Sequence, residues 1–276
     1  MNVLRDHDRR HIRYAENRKK AVMKKTFCLF ALAAFLLCGA GLLYGQQYWD
    51  FPPLPPPHKY GDILISQNSG KSGVKAVYFS HWSHRAKYSC RVCHYELEFS
   101  FAVNQTDITE KENQAGFYCG ACHNGDKLFG HTEEHCDKCH TGKLVSDRDR
   151  FVEIARFLPR SQFGNHIDWS RAVMNKRMTP VYSIFKPDEK PLGFRKKLTL
   201  EAEWTFVPPA YFSHEVHARW LDCANCHPDI FNIKKKTTRH FSMKYILEKK
   251  FCGVCHLKIA FPLNNCTRCH PEIKLK

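Results

Sequence analysis

Charge is absent from one long stretch of the sequence, because no Asp, Glu, Lys or Arg occurs between Thr26 and Trp49. This absence excludes an ordinary solvated segment. The apolar core of the stretch, Phe27 to Leu43, is near the lower limit for crossing a bilayer, for which about 17–25 residues suffice. Residues 1–25 before it hold nine Lys or Arg against three acidic residues. The positive-inside rule therefore predicts a basic cytoplasmic segment over 1–25 and a transmembrane anchor over 26–49.

The same stretch lacks the small residues of a signal-peptide cleavage site, and its basic region is longer than such peptides usually carry. An uncleaved anchor is therefore favoured over a cleaved signal peptide. The bulky Leu37 directly before Cys38 also argues against a lipoprotein site. Cys28 and Cys38 are then interpreted as apolar residues of the span.

Cysteine is scarce outside one repeated motif, since only two of the fourteen cysteines, Cys28 and Cys38, stand apart from it. The other twelve form six Cys-x-x-Cys-His units: Cys90, Cys93 and His94; Cys119, Cys122 and His123; Cys136, Cys139 and His140; Cys223, Cys226 and His227; Cys252, Cys255 and His256; Cys266, Cys269 and His270. Neither a zinc site nor a disulfide framework needs histidine after every second cysteine. The spacing is typical of c-type haem attachment, in which the thiols bind the vinyl groups and the histidine binds the iron. The sequence thus predicts six covalently bound haems c, with these histidines as proximal ligands.

Acidic residues are few, and a formal net charge of +16 would by itself favour a nucleic-acid or anionic-membrane partner. Each haem, however, adds two propionates that are ionised near neutral pH, like other carboxyl groups. Six haems would cancel much of the positive excess. No nucleic-acid partner is therefore predicted.

The haem motifs belong to a longer repeat. Adding 133 to the numbers of His81, His84 and the first two motifs gives His214, His217 and the fourth and fifth motifs. The third motif recurs at a slightly shorter offset, from Cys136 to Cys266, and Tyr-Phe-Ser-His opens each copy. We therefore predict two three-haem modules, the first over 60–142 and the second over 196–276.

The histidine pair of each module is predicted to supply ligands above the haem plane. If the segment that begins at His81 is helical, His81 and His84 lie on one side of the helix, offset along it by about 4.5 Å. The two imidazoles of a pair could then reach two different irons.

A hairpin leading into Phe-x-His-x-x-His, then three Cys-x-x-Cys-His units, resembles the triheme cytochromes c7, relatives of tetrahaem cytochrome c3. The resemblance spans residues 60–142 and 196–274. It implies that the first histidine of a pair caps the first haem of its module and the second histidine caps the second haem. The implied distal ligands are His81 for the Cys90 haem, His84 for the Cys119 haem, His214 for the Cys223 haem and His217 for the Cys252 haem.

The third haem of the second module has no partner from the histidine pair. The run His240-Phe-Ser-Met243 resembles c7-like domains in which methionine replaces histidine at the third iron. The resemblance implies Met243 as ligand of the Cys266 haem, with His240 behind it. The alternative role for Met243 is packing against a porphyrin.

The first module cannot use the same solution, because Glu110 occupies the position equivalent to Met243. Its three extra residues bring His131 and His135 instead. His135 directly precedes Cys136 and can hardly reach the far face of the same haem. His131, which has a loop of slack, is therefore predicted for the Cys136 haem.

Outside the motifs, the sequence predicts spacers and a few regular elements. The proline-rich segment 50–59 is typical of a stiff linker. From Asp62, two short apolar runs around a glycine-rich turn predict a hairpin that leads to His81.

Residues 143–195 carry no haem motif and are predicted as an insert or linker. Helices are predicted over Asp149–Leu158 and Asp168–Met178, with Asp168 as N-cap. Alternation predicts a strand over Lys197–Val207. His166 is assigned a surface or packing role.

Six haems on about 230 residues leave little polypeptide for a conventional core. The predicted fold is therefore mostly irregular, with short α-helices and small β-hairpins, as tandem triheme c7-like modules after one N-terminal transmembrane helix.

This organisation favours an electron carrier over an enzyme. The predicted function is that of a single-pass protein of a bacterial inner membrane with its haem domain in the periplasm. It would transfer electrons between a quinone-linked membrane complex and periplasmic redox proteins such as soluble cytochromes. The alternative is a multihaem reductase of a nitrogen or sulfur oxyanion, which needs one open iron. Only the Cys136 and Cys266 haems could be open, and no attachment motif ends in lysine.

Overall fold

The computed structural model describes residues 51, 53–204, 206–233 and 242–274. The predicted cytoplasmic segment, the predicted anchor and His240 lie outside the described residues. Within those ranges, no helix is long and apolar enough to cross a membrane. The part of the chain from Pro53 onward forms one compact unit.

Each module opens with a small antiparallel hairpin, as predicted. In the first module, β1 (Asp62–Ile65) pairs with β2 (Val77–Ser80), with Asp62 opposite Ser80. In the second module, β3 (Lys197–Leu200) pairs with β4 (Ala210–Ser213), with Lys197 opposite Ser213. The second strand of each hairpin ends at the serine before the first histidine of the pair, so the hairpin fixes where that histidine begins.

The predicted strand over Lys197–Val207 is too long, because β3 ends at Leu200. Leu200 already lies opposite Ala210, so the chain must reverse in between. The Val207 N–H donates to the Trp204 carbonyl in a turn (3.0 Å). The alternation beyond Leu200 therefore belongs to a connection.

The helices are short, which confirms the prediction of a mostly irregular chain. They are α1 (His81–Arg85), α2 (Glu110–Gln114), α3 (Cys136–Cys139), α4 (Arg148–Ala155), α5 (Trp169–Met174), α6 (His214–Ala218), α7 (Met243–Leu247) and α8 (Gly253–His256). Within the described ranges the longest, α4, has eight residues. A π-helical turn, Val92–Glu96, and the 3₁₀ turns Pro57–Lys59, Tyr118–Ala121, Glu133–His135, Cys223–Asn225 and Cys266–Arg268 complete the regular structure.

The two helices predicted in the insert are present but shorter than predicted. Asp168 caps α5 as expected, because its side chain accepts a hydrogen bond from the Arg171 N–H (3.0 Å). The chain leaves α5 at Met174, and Lys176 takes a positive φ of 54°, as residues just past a helix end often do. The first helix ends at Ala155, ahead of Pro159, whose ring disfavours helical geometry at the preceding residue.

The hydrophobic core lies where the insert meets both modules. Trp82 comes from the first module and Trp220 from the second, while the insert supplies the other members of the cluster: Phe151, Ala155, Leu158, Ile167, Trp169 and Ala172. Trp82 packs edge-on against Phe151 with ring centres 5.2 Å apart, and its indole N–H donates to the His58 carbonyl (3.0 Å). The segment without haem motifs is thus the main source of conventional core packing.

A buried arginine links the same three parts of the chain by charge. The Arg91 guanidinium reaches Glu96 of the first module at 2.5 Å, Glu189 of the insert at 3.1 Å and Asp222 of the second module at 3.2 Å. The Arg91 and Glu96 side chains are each only 5% exposed. Such a pair depends on both partners, because either one alone would be an uncompensated buried charge.

The first attachment motifs of the two modules also lie side by side. The Arg91 N–H donates to the Trp220 carbonyl (2.8 Å), and the Asn225 side-chain amide donates to the His94 carbonyl (2.9 Å). These bonds join the turn that holds the first site to the turn that holds the fourth.

Candidate haem sites

The histidine pairs sit on equivalent short helices, α1 and α6, and their rings are held from behind. In the first pair, the Nδ1 of His81 donates to the Gly61 carbonyl (2.6 Å) and that of His84 donates to the Ser80 carbonyl (2.8 Å). In the second pair, His214 donates to Lys196 (2.9 Å) and His217 to Ser213 (2.8 Å). Because Nδ1 carries the proton in each bond, Nε2 is left as the free ligand atom.

The histidines of the attachment motifs show the same arrangement. Five of the six donate Nδ1–H to a backbone carbonyl: His94 to Phe99 (2.8 Å), His140 to Lys75 (2.7 Å), His227 to Phe231 (2.7 Å), His256 to Phe261 (3.0 Å) and His270 to Pro208 (2.7 Å). His123 differs, since its buried Nδ1 makes no direct bond although the Phe129 backbone is beside it. Oriented imidazoles with a free Nε2 are the donors that haem iron takes.

Two of the predicted axial pairs face each other at a spacing that fits an iron between them. The ring centres of His84 and His123 are 6.4 Å apart, and those of His217 and His256 are 6.1 Å apart. A metal bridging two imidazoles would place their centres about 6 Å apart, since a metal–nitrogen bond is about 2.0–2.1 Å and the ring centre lies ~1 Å behind the nitrogen. The spacing of the ring centres at the Cys119 and Cys252 sites thus fits the predicted histidine pairs.

The predicted ligand pairs at the first sites of the two modules, the Cys90 site and the Cys223 site, differ from each other. The pKa of His81 is lowered to about 3, mainly by burial and in part by the nearby His94, so His81 is neutral. A neutral imidazole is the form that binds iron. His214 and His227, the corresponding pair, make no ring contact among the described residues.

At the third sites, those of Cys136 and Cys266, the structure shows the least contact between the predicted ligands. The Nε2 of His131 is buried without a hydrogen-bond partner, but the ring lies beside His123, whose pKa is lowered by burial and further by His131. His135 instead uses its Nδ1 on Thr132 (3.1 Å) and Gly130 (3.3 Å). Met243 begins α7 and is half-buried. No described contact joins His131 to His140 or Met243 to His270.

The twelve motif cysteines form neither disulfides nor metal-binding clusters of three or more residues within the described part of the chain. Burial raises the pKa of Cys93, Cys252 and Cys255 to about 12 each. Thiolates that bind zinc or act as nucleophiles need the opposite shift. Neutral, buried sulfur suits a thioether bond to haem, so the residues present fit the cofactor.

Neighbouring thiols show the order of the sites in the first module. Burial raises the pKa of Cys119 to about 11, and Cys139 of the third site contributes to the rise. Burial also raises the pKa of Cys93, with contributions from Cys90, Cys119 and Cys122. The third site therefore borders the second, and the second borders the first.

The series continues into the second module. Burial raises the pKa of Cys255, and the largest contribution from another thiol comes from Cys90 of the first module. For Cys252, burial again comes first, followed by Cys269 and Cys226. The Cys90 site thus borders the Cys252 site across the two modules, and the Cys252 site borders both remaining sites.

A glycine inside the second motif of each module packs where no side chain fits. A Cβ at Gly120 would overlap the Asn113 carbonyl, and a Cβ at Gly253 would overlap the Ile246 carbonyl. The two glycines occupy equivalent positions of the repeat, and so do the residues that carry the two carbonyls. Sequence analysis missed these glycines, although their recurrence at the repeat offset is a signal that could have found them.

Gly120→Ala is expected to destabilise the protein by about 1–3 kcal/mol, because the backbone must move to relieve the overlap. Gly253→Ala should behave alike. Gly193→Ala is the control, since nothing lies within 4 Å of its Cβ position. Thermal unfolding and haem content measure the effect; equal stability of Gly120→Ala and Gly193→Ala would contradict the close packing.

Matches to known proteins fall on both predicted modules. The family described as cytochrome c7 and related cytochrome c matches residues 77–141 and 210–271. The two matched segments begin at equivalent positions of the repeat, Val77 and Ala210, and they end at equivalent positions, Thr141 and Pro271. No curated protein matches the chain.

Three solved structures are similar in sequence. A c7-type three-heme cytochrome domain is 32% identical over 31% of this chain and 94% of that one, with a TM-score of 0.25. The C-terminal hexaheme fragment of GSU1996 is 27% identical over 79% of this chain and 99% of that one, with a TM-score of 0.26. Dodecaheme cytochrome c GSU1996 is 24% identical over 78% of this chain and 75% of that one, with a TM-score of 0.27.

The TM-scores are low, so the assignment rests on sequence. The family matches both predicted modules. The protein is a multihaem c-type cytochrome that carries several covalently bound haems. Residues 77–141 and 210–271 belong to the family of cytochrome c7 and related cytochromes c.

Proposed function

We propose that the protein binds six haems c and conducts electrons along them. The observation that carries the proposal is that six attachment motifs fall within one compact unit, where hydrogen bonds join the first motif of one module to the first motif of the other. Closely spaced haems let electrons hop, and the protein sets their potentials through ligands, burial and hydrogen bonds. The chain would thus act as a conduit.

The proposed distal ligands are His81, His84, His214 and His217, with His131 and Met243 at the third sites. Support is strongest at the Cys119 and Cys252 sites, where the centres of the two histidine rings are 6.4 and 6.1 Å apart, a spacing that fits one iron between them. An iron held on both sides by imidazole has no open position for a substrate. These sites therefore favour electron transfer over catalysis.

We further propose that the protein is anchored by residues 26–49 in a bacterial inner membrane, with its haem domain in the periplasm. The charge-free run and the nine basic residues before it support this topology. The fitting partners are a quinone-linked membrane complex on one side and periplasmic redox proteins on the other. With one span, quinone chemistry would belong to the partner.

The alternative, reduction of a nitrogen or sulfur oxyanion, is favoured by one observation. The histidine pairs supply no distal ligand to the Cys136 and Cys266 sites, and within the described residues His131 and Met243 make no contact with the proximal histidines there. An iron open there could bind an anion.

Electron paramagnetic resonance of the oxidised full-length protein, with and without nitrite or cyanide, tests the proposal. We expect six haems by mass spectrometry and only low-spin signals that the anions leave unchanged. A high-spin haem whose signal responds to the anion would instead support the reductase and place it at Cys136 or Cys266.

A further inference from the structure

Arg85, the last residue of α1, is a half-buried cation among aromatic rings. Its guanidinium lies over Trp220 of the second module, 4.5 Å from the ring centre, and over Trp169 of the insert at 5.2 Å. Its Nε is buried and has no hydrogen-bond partner. Cation–π contacts offset only part of the cost of removing a guanidinium from water. The buried Nε therefore calls for an anionic acceptor.

The protein itself offers Arg85 no free carboxylate in the described ranges. Asp168 is its nearest acidic neighbour electrostatically, but Asp168 accepts from Arg268 (2.9 Å) and caps α5 through the Arg171 N–H (3.0 Å). Arg91, further along the chain, has three carboxylates around it. The protein therefore surrounds the Arg91 guanidinium with carboxylates, whereas the Nε of Arg85 has no carboxylate partner in the described ranges.

Two haem attachment sites border Arg85. Cys90 of the first module packs against the cluster that contains Trp169 and Trp220, the two rings beneath the Arg85 guanidinium, and the Cys255 thiol of the second module is an electrostatic neighbour of Arg85. Arg85 and Phe261 also line one small cavity, and Phe261 packs against the ring of His256, 4.3 Å centre to centre. Arg85 thus lies at the junction of the two modules, between the Cys90 site and the Cys252 site.

We propose that Arg85 pairs with a propionate carboxylate of a haem held at this junction, in the Cys90 or the Cys252 site. The inference rests on the proposed function, because it takes haems at both sites. Guanidinium is the side chain best suited to a carboxylate, which it binds through two parallel N–H bonds. A fixed positive charge disfavours the oxidised, more positive iron, so Arg85 is a positioning residue that also raises the potential of the junction haem.

Redox titration of the full-length protein, followed by optical spectra, tests the inference. In Arg85→Gln we expect one midpoint potential to move to more negative values, by about 59 mV for each tenfold change in the reduction equilibrium. Arg85→Lys keeps the charge and should restore most of the potential. The matched control is Arg156→Gln, because Arg156 also lies over an aromatic ring, Phe157, but is exposed. Unchanged potentials in Arg85→Gln would overturn the inference.

An experimental structure of the natural, haem-loaded protein tests the same point without a variant. A propionate oxygen within about 4 Å of the Arg85 guanidinium is expected, and the haem that owns it identifies the site. Finding only water or a protein carboxylate there would refute the pairing. Either failure would leave six low-spin haems in place, whereas failure of the proposed function would appear as a different haem count or an anion-sensitive iron.

Discussion

His217→Ala is expected to convert one haem from low spin to high spin and to leave the number of attached haems unchanged. His217 faces His256 at 6.1 Å, and its Nδ1 is already held by the Ser213 carbonyl. Removing the imidazole would open one coordination position, because Cys252 and Cys255 would still hold the haem and His256 would still hold its iron. Optical and electron paramagnetic resonance spectra measure the change, which should affect a single haem.

His84→Ala should give the same result at the Cys119 site, since its ring faces His123 at 6.4 Å. His166→Asn is the control, because His166 is exposed and its positive φ of 58° suits asparagine. Two altered haems in His217→Ala, or none, would contradict the ligand assignment.

Arg91→Leu is expected to cost about 3–5 kcal/mol of folding free energy, the usual penalty for breaking a buried ion pair. Leucine fills much of the space but leaves Glu96, which is 5% exposed, without its cation. Glu189 and Asp222 lose the same partner. Guanidinium unfolding of the haem-loaded protein, followed by circular dichroism, measures the loss as a lower midpoint.

Arg171→Leu is the matched control for Arg91→Leu. Its guanidinium is 65% exposed and 4.0 Å from Asp168, and surface substitutions of this kind usually change stability by no more than about 0.5 kcal/mol. Equal midpoints for the two variants would show that the Arg91 ion pairs contribute nothing to stability.

Local patterns predicted the elements that begin each module. Two short apolar runs around a glycine-rich turn indicated the hairpin β1–β2, and the spacing of His81 and His84 indicated one helical face, which α1 provides. Asp168 was recognised as an N-cap because capping acts within three residues. These features depend on neighbours in sequence, so one chain suffices to infer them.

Contacts between distant parts of the chain could not be predicted. Nothing local marks the insert as the main contributor to the core, or places Trp220 against Trp169 and Arg85. Arg91 and Asp222 are 131 residues apart, so no periodicity reveals their pairing. The ligands of the third sites depend on loops of this kind, and there the histidine and methionine assignments stay predictions.

The tryptophan-rich core has a consequence for motion. Domains joined by a bare linker usually move relative to each other, whereas a large apolar interface suppresses such motion. Trp82, Trp169 and Trp220 bury the junction between the modules, and Arg91 ties it by charge. If electrons cross from the Cys90 site to the Cys252 site, as proposed, we expect the distance between the two sites to stay constant, so that the rate of the crossing does not depend on a conformational change.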